Sequence, residues 1–302
     1  MQRWGILRGQ VDLAVPVASA ELALANMMLA RKRPSDASLA QFDKVLELAP
    51  ANSGTAMTAR NNRAIILSEI HDEEAAFDEW SSIADDPSTG IADEIRACAL
   101  NNRADILAGR GMHDVAISDR GRVLQLRETS YNRRFIALFR RSGSYVMLGR
   151  LNDAIDDLSA ILKTPDISEP QKVTARIERA SLLIGSGETN NASRDLEMAL
   201  ASDDLPRGAE PEALVGLADA ASLERDNVRA EEYLDLALRH PEIARSTTMR
   251  AGLVMAQICR NRNEADVAHE ICRKLLARVS PTSWLYERIR AQLAQESTLP
   301  NV

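Results

Sequence analysis

Eight arginines crowd into residues 117–150 of a 302-residue chain whose formal charge is −7. They are Arg120, Arg122, Arg127, Arg133, Arg134, Arg140, Arg141 and Arg150; with Asp119 and Glu128 they make the stretch +6 and leave −13 for the remainder. A guanidinium is a planar fork that holds a carboxylate or phosphate through two parallel bonds. Such a concentration of them can attract an acidic or phosphorylated segment. Arg133, Arg134 and Arg140 are therefore candidates to contact an acidic partner. The alternative is that these arginines lie on solvated helix faces or pair with carboxylates of adjacent helices, such as Asp114 and Asp156.

Catalytic chemistry has less to build on. The histidines His71, His113, His240 and His269 fall in turns or on a helix flank, and no HExxH, GxSxG or phosphate-loop pattern occurs. Asp156–Asp157 and Glu231–Glu232 are adjacent in sequence, so on a helix their side chains diverge, and they read as solvated surface. Cys98, Cys259 and Cys272 form neither a disulfide framework nor a CxxC metal site, and read as small buried apolar residues of a reducing compartment. These residues predict no enzyme, no metal and no cofactor. One polar pattern stands out: the segment NNRA occurs identically at 61–64 and 101–104.

The elements that position these groups are helices. Hydrophobic residues make up 45% of the chain but aromatic residues only 4%, a core of Ala, Leu, Ile and Val that suits closely packed helices better than sheets. No apolar run is long enough for a membrane span, and Asp12 and Pro16 interrupt the apolar part of the first thirty residues, which argues against a signal peptide. The expectation is a soluble cytoplasmic protein without membrane contact. A pI near 5.3 disfavours nucleic acid as the main partner.

The segment GRLNDAIDDLSAILKTP (149–165) sets the register, with Ala154, Leu158, Ile161 and Leu162 on one helical face. The same pattern recurs around Ser38, Ala76, Ala116, Ala192, Ala230 and Ala268. Four residues after each anchor stands Phe42, Trp80, Arg120, Leu158, Leu196, Leu234 or Cys272. Twelve residues before it comes a second small residue, Ala64, Ala104, Ser142, Ala180, Ala218 or Ala256, with Asn26 as the exception. Each unit thus contains two helices that approach closely at small residues. Between them, five residues before the anchor, sit His71, Gly111, Gly149, Gly187, Arg225 and Asn263, of which the Gly and Asn residues suit a left-handed helix end. Pro50, Pro87, Pro165 and Pro241 stand where second helices should stop. A last amphipathic helix over 281–295, with Trp284, Leu285, Ile289 and Leu293 on one side, reads as a cap on the final open face. Residues 1–18 do not match the repeat.

Paired helices, a small residue in each, a glycine turn and a proline stop make the units resemble tetratricopeptide repeats. GRLNDAIDDLSAILKTP, NVRAEEYLDLALRHP (227–241) and HDEEAAFDEWSSIADDP (71–87) carry the likeness, which covers about residues 19–278; residues 1–18 are left unassigned and 279–302 hold the capping helix and tail. The unit here is 38 residues rather than the family's usual 34, and the additional residues, as in 85–104, imply a first helix that starts early and runs long. The resemblance implies an all-α, right-handed solenoid of antiparallel helix pairs, acting as a non-catalytic scaffold that binds a peptide or partner protein in the groove of its first helices. It also implies that Asn62 and Asn102 occupy a common groove-facing position, with Arg140 following on the next first helix. Ile136, however, stands where carboxylate-binding members carry a second basic residue. The alternatives are RNA binding, as in the related pentatricopeptide repeats, or a regulatory subunit of a partner enzyme.

Overall fold

The structure, a computed structural model, describes residues 14–30, 36–51, 53–87 and 91–279, together with Tyr286, Ile289, Arg290 and Leu293. All of its regular elements among these residues are α-helices, and they divide between two compact units, 1–150 and 151–302.

Unit 1 holds α1 (Ala14–Ala30), α2 (Asp36–Leu48), α3 (Gly54–Glu69), α4 (Glu73–Asp85), α5 (Asp93–Gly109), α6 (His113–Gln125) and α7 (Tyr131–Met147). α1/α2, α3/α4 and α5/α6 pack as pairs, each first helix lies beside the next, and α7 closes the row against α5 and α6. Unit 2 holds α8 (Leu151–Lys163), α9 (Glu169–Gly185), α10 (Thr189–Leu200), α11 (Ala209–Leu223), α12 (Asn227–Arg239), α13 (Arg245–Asn261) and α14 (Ala265–Leu276). Its pairs are α9/α10, α11/α12 and α13/α14; α9, α11 and α13 form the row, and α8 packs on α9.

The 38-residue unit has a plain origin. From α3 onward the first helices run 15 to 17 residues, whereas the second helices run 12 or 13. All seven second-helix anchors, Ser38 through Ala268, are buried. So are the six small first-helix partners from Ala64 to Ala256, because a larger side chain there would hold the helix axes apart. Asn26, the exception in the sequence series, accepts a 2.7 Å bond from Asn62 Nδ2 and so joins α1 to α3 through polar atoms.

Six first helices end in the same turn. His71, Gly111, Gly149, Gly187, Arg225 and Asn263 all have φ between 61° and 85°. In each case the next residue's N–H reaches back five positions, as in Met112 N to Leu107 O at 2.8 Å and Asp226 N to Ala221 O at 2.9 Å. This is the Schellman closure of a helix C-terminus. His71 and Arg225 adopt it without glycine's freedom, so the turn geometry is imposed by the packing of the two helices it joins. Helices α2, α4, α8 and α12 end two residues before Pro50, Pro87, Pro165 and Pro241, as the proline spacing predicts.

The first pair begins at Ala14, so residues 14–18 belong to α1; residues 1–13 lie outside the described set. Most of the expected capping helix over 281–295 also lies outside it. Ile289 is nonetheless fully buried against Leu253, Ala256, Ala268 and Cys272, with Leu293 packed beside it.

Candidate binding surface

A second periodic feature joins the helices, one of charge. Arg63, Arg103, Arg141 and Arg179 each stand one residue before the small first-helix position, and Glu79, Asp119, Asp157 and Asp195 each stand three residues after the following anchor. In three of these units the pair closes across 16 residues. Arg103 Nε and Nη2 donate to Asp119 at 2.7 Å, Arg179 grips Asp195 at 2.7 and 2.6 Å, and Arg63 pairs with Glu79. Each arginine also reaches back to the preceding second helix, at Asp85, Ser159 and Asp43 respectively. Burial opposes the charge on Arg103, but its bonds to Asp119 and Asp85 outweigh that and hold its pKa above the ordinary arginine value. Asp157 belongs to this series and is 5% exposed, which corrects the reading of Asp156–Asp157 as solvated surface. The signal was present in the same period that located the anchors.

Most arginines of the 117–150 stretch are likewise engaged inside unit 1. Arg120 occupies a position filled elsewhere by large apolar groups and is 1% exposed; its Nη2 donates to Asp105 Oδ1 at 2.7 Å and its Nη1 to Ser144 Oγ at 2.8 Å. Burial lowers its pKa, against the stabilising bond it donates to Asp105. Arg122 bonds Asp85 at 3.0 Å and the Ala84 carbonyl at 2.6 Å. Arg133 Nε donates to Glu94 at 3.0 Å. Arg134 donates to the Leu124 and Leu126 carbonyls at 3.5 and 2.7 Å, satisfying the C-terminus of α6. Arg140, with its side chain 59% exposed, approaches Asp105 only to 3.8 Å. These partners include the carboxylates of adjacent helices, Asp85, Glu94 and Asp105.

The predicted amides lie on the first-helix row. Asn61 Nδ2 donates to Asn62 Oδ1 at 3.1 Å, Asn62 donates on to Asn26, and Asn101 Nδ2 donates to the Arg133 carbonyl at 3.3 Å, tying α5 to α7. Asn102 Nδ2 makes a long 3.6 Å contact to the Cys98 sulfur. Burial pushes the Cys98 thiol up, opposed by the Arg133 charge and by bonds from Asn61 and Asn102. The two NNRA segments therefore meet around one buried thiol. Asn61 and Asn101, 8% and 2% exposed, each keep a buried Oδ1 that receives no bond from the described residues. Sequence reasoning singled out Asn62 and Asn102 but not these neighbours, which share the motif.

Unit 1 has a cavity of about 290 Å³ beside this row, bordered by Ser68, Glu73, Trp80, Asn102, Asp105 and Ile106. Unit 2 carries two crevices that are the same feature one repeat apart. Ser193, Glu197, Leu217, Ala221 and Glu224 line the first, of about 420 Å³; Glu231, Asp235, Met255, Cys259 and Arg262, each 38 positions on, line the second, of about 230 Å³. Among the described residues no group of three His, Cys, Asp or Glu could hold a metal, and no helix is long and apolar enough to cross a membrane.

No family model matches the sequence, and no curated protein matches it. Solved structures do. A tetratricopeptide repeat protein from Parabacteroides merdae aligns with a TM-score of 0.58 at 17% identity, over 93% of this chain and 99% of that one. The apo quorum sensor NprR from B. thuringiensis aligns with a TM-score of 0.64 at 12% identity, over 95% and 83%. YrrB, described as a TPR protein with an unusual peptide-binding site, aligns with a TM-score of 0.50 at 17% identity, over 65% and 90%. The buried small-residue contacts, the shared Schellman turn and these likenesses together give the chain the tetratricopeptide-repeat fold.

Proposed function

We propose that the protein is a non-catalytic interaction scaffold that binds a peptide or an extended segment of a partner protein along its first-helix row. The observation that carries this reading is the repeated amide pair. Asn61–Asn62 on α3 and Asn101–Asn102 on α5 place four carboxamides on adjacent helices, and Asn62 and Asn102, unlike their buried neighbours, are only half-buried. A carboxamide both donates and accepts, which matches an extended peptide backbone whatever its sequence. The peptide-binding site named for YrrB accords with this assignment. Within the site Asn62 and Asn102 hold backbone, and Arg140, the loosely held guanidinium of the arginine stretch, attracts an acidic residue of the partner. Arg133 and Arg134 border it, each already bonded within unit 1.

Selection of random linear peptides on the full chain tests the proposal. Peptides should be recovered, and Asn62→Ala with Asn102→Ala should weaken them by roughly tenfold or more, from two lost bonds at about 0.5–1.5 kcal/mol each. Arg140→Glu should weaken acidic peptides in particular. Recovery of none, or binding indifferent to both changes, would overturn the reading.

A further inference from the structure

The crevice of about 420 Å³ in unit 2 has a wall on each of two second helices and its floor on the first helix between them. Arg194 and Glu197 stand on α10, Arg229 and Tyr233 on α12, and Leu217, Ala221 and Glu224 on α11. Spacings of three, four and seven residues put each set on one face of its helix. Leu217 and Ala221 are buried, so the floor is apolar, whereas Arg194, Glu197, Glu224 and Arg229 are exposed.

One repeat further on, the equivalent crevice neutralises its own charges. Glu231 and Arg262 close an ion pair there with two 2.7 Å contacts, and Asp235 pairs with Arg239 at 2.9 Å. In the first crevice the places of Glu231 and Arg262 are held by Ser193 and Glu224, 38 residues earlier, which cannot form that pair. The side chains of Arg194, Glu197 and Glu224 make no hydrogen bond or ion pair among the described residues. Arg229 has one such bond, donated by Nη2 to the Tyr233 hydroxyl at 3.3 Å, with its guanidinium 5.9 Å from that ring. That bond above all, with the Asp226 and Glu197 charges adding to it, holds the Arg229 pKa above its ordinary value. Glu197 is thus within electrostatic reach of Arg229 without being bonded to it.

Two cations and two carboxylates around an apolar floor select a guest by sign. A polyanion meets Glu197 and Glu224, and a polybasic segment meets Arg194 and Arg229. A free amino acid carries both of its backbone charges on one carbon, whereas the charges here stand on three helices. A polypeptide segment with an acidic and a basic side chain on either side of an apolar one presents both signs at separated points. At ~30 Å³ of liquid volume per water, the crevice holds the volume of about 14 waters, which accommodates side chains of both signs. We propose that this crevice is a second docking surface, separate from the amides of unit 1, and that it takes such a mixed-charge segment of a partner protein. The segment's carboxylate pairs with Arg194, its cation with Glu197 and Glu224, and its apolar side chain lies on Leu217 and Ala221.

The probes are acetylated, amidated peptides of sequence Gly-Lys-Leu-Glu-Gly and Gly-Glu-Leu-Lys-Gly, with Gln in place of Lys, of Glu or of both as controls. Binding is read from the backbone amide resonances of residues 190–197 and 217–233 in isotope-labelled full-length protein. At least one mixed-charge peptide should move these resonances in a saturable way, and Gln at either charged position should weaken it at least about fivefold. Arg194→Glu should weaken it as much, and a peptide with Lys in place of its Glu should bind that variant but not the original protein. Asn62→Ala with Asn102→Ala should leave the response unchanged. Silence with both mixed-charge peptides, an equal response to the uncharged control, or indifference to Arg194→Glu overturns the assignment. So does failure of the exchanged peptide to restore binding, or loss of the response when the unit 1 amides are replaced.

Discussion

Arg103 is the test of how adjacent helix pairs are joined. It lies on α5, grips Asp119 on α6 with two 2.7 Å bonds, and reaches back to Asp85 at the end of α4 at 2.5 Å. Breaking a buried ion pair by removing one partner costs roughly 3–5 kcal/mol, since the other charge stays buried. Arg103→Met belongs at the low end, about 3 kcal/mol, because Arg122 still approaches Asp119 at 3.4 Å and Asp85 is largely exposed. Asp119→Leu leaves Arg103 with Asp85 and should cost about 2 kcal/mol by the same reasoning. The double change replaces the pair by apolar volume and should cost about 1 kcal/mol or less, a coupling of roughly 4 kcal/mol. Repeat arrays need not unfold in one step, so hydrogen exchange of α5 and α6 amides in the full chain is the assay, with denaturant melts beside it. Costs that simply add would refute the reasoning. The contact from Arg103 to Asp85 also has an acid signature. The bond from Arg103, opposed by burial and reinforced by Arg122, holds the Asp85 carboxyl below its ordinary value. A depressed carboxyl contributes stability that is complete above the unfolded value near 4 and is lost as pH falls through the folded one. The penalty of Arg103→Met should therefore shrink below about pH 4.

Three other changes probe the register. Arg225→Gly should stabilise by about 0.5–1 kcal/mol, the left-handed cost of a side chain at φ 63° less the entropy of a glycine, and a melt that falls would contradict an imposed turn. Gly111→Ala, at φ 77°, should cost about 1 kcal/mol by the reverse argument, read in the same melt. Ala154→Trp should cost at least about 1–3 kcal/mol through overpacking at a fully buried anchor, and an unchanged melting temperature would mean the register is wrong.

The fold was legible because one constraint recurs. Every first and second helix must meet a neighbour through a small residue, so Ala at two positions per unit, and a turn residue between them, write the architecture into the chain repeatedly. Ala154 and Ala180 could be assigned without knowing what they touch. Where one member departs, as at Asn26 or His71, the rest of the series still carries the register, and the structure shows the departing residue adopting the common geometry or bonding in place of packing.

Charge was less legible, because a charged residue looks the same in sequence whether it is solvated or buried. Asp157 next to Asp156 reads as surface by adjacency, yet one position of rotation about the helix carries it into the interior while its neighbour stays exposed. The arginine stretch stands out by density, but density does not show which of its members are engaged: Arg120, Arg122, Arg133 and Arg134 bond Asp105, Asp85, Glu94 and two helix-end carbonyls. Period is the better criterion for both. An arginine that recurs at a fixed offset from the anchor, with a carboxylate recurring at another, is part of the joint between helices. By that criterion the repeated amides of α3 and α5, rather than the most charged stretch of the chain, are the residues whose replacement tests peptide binding.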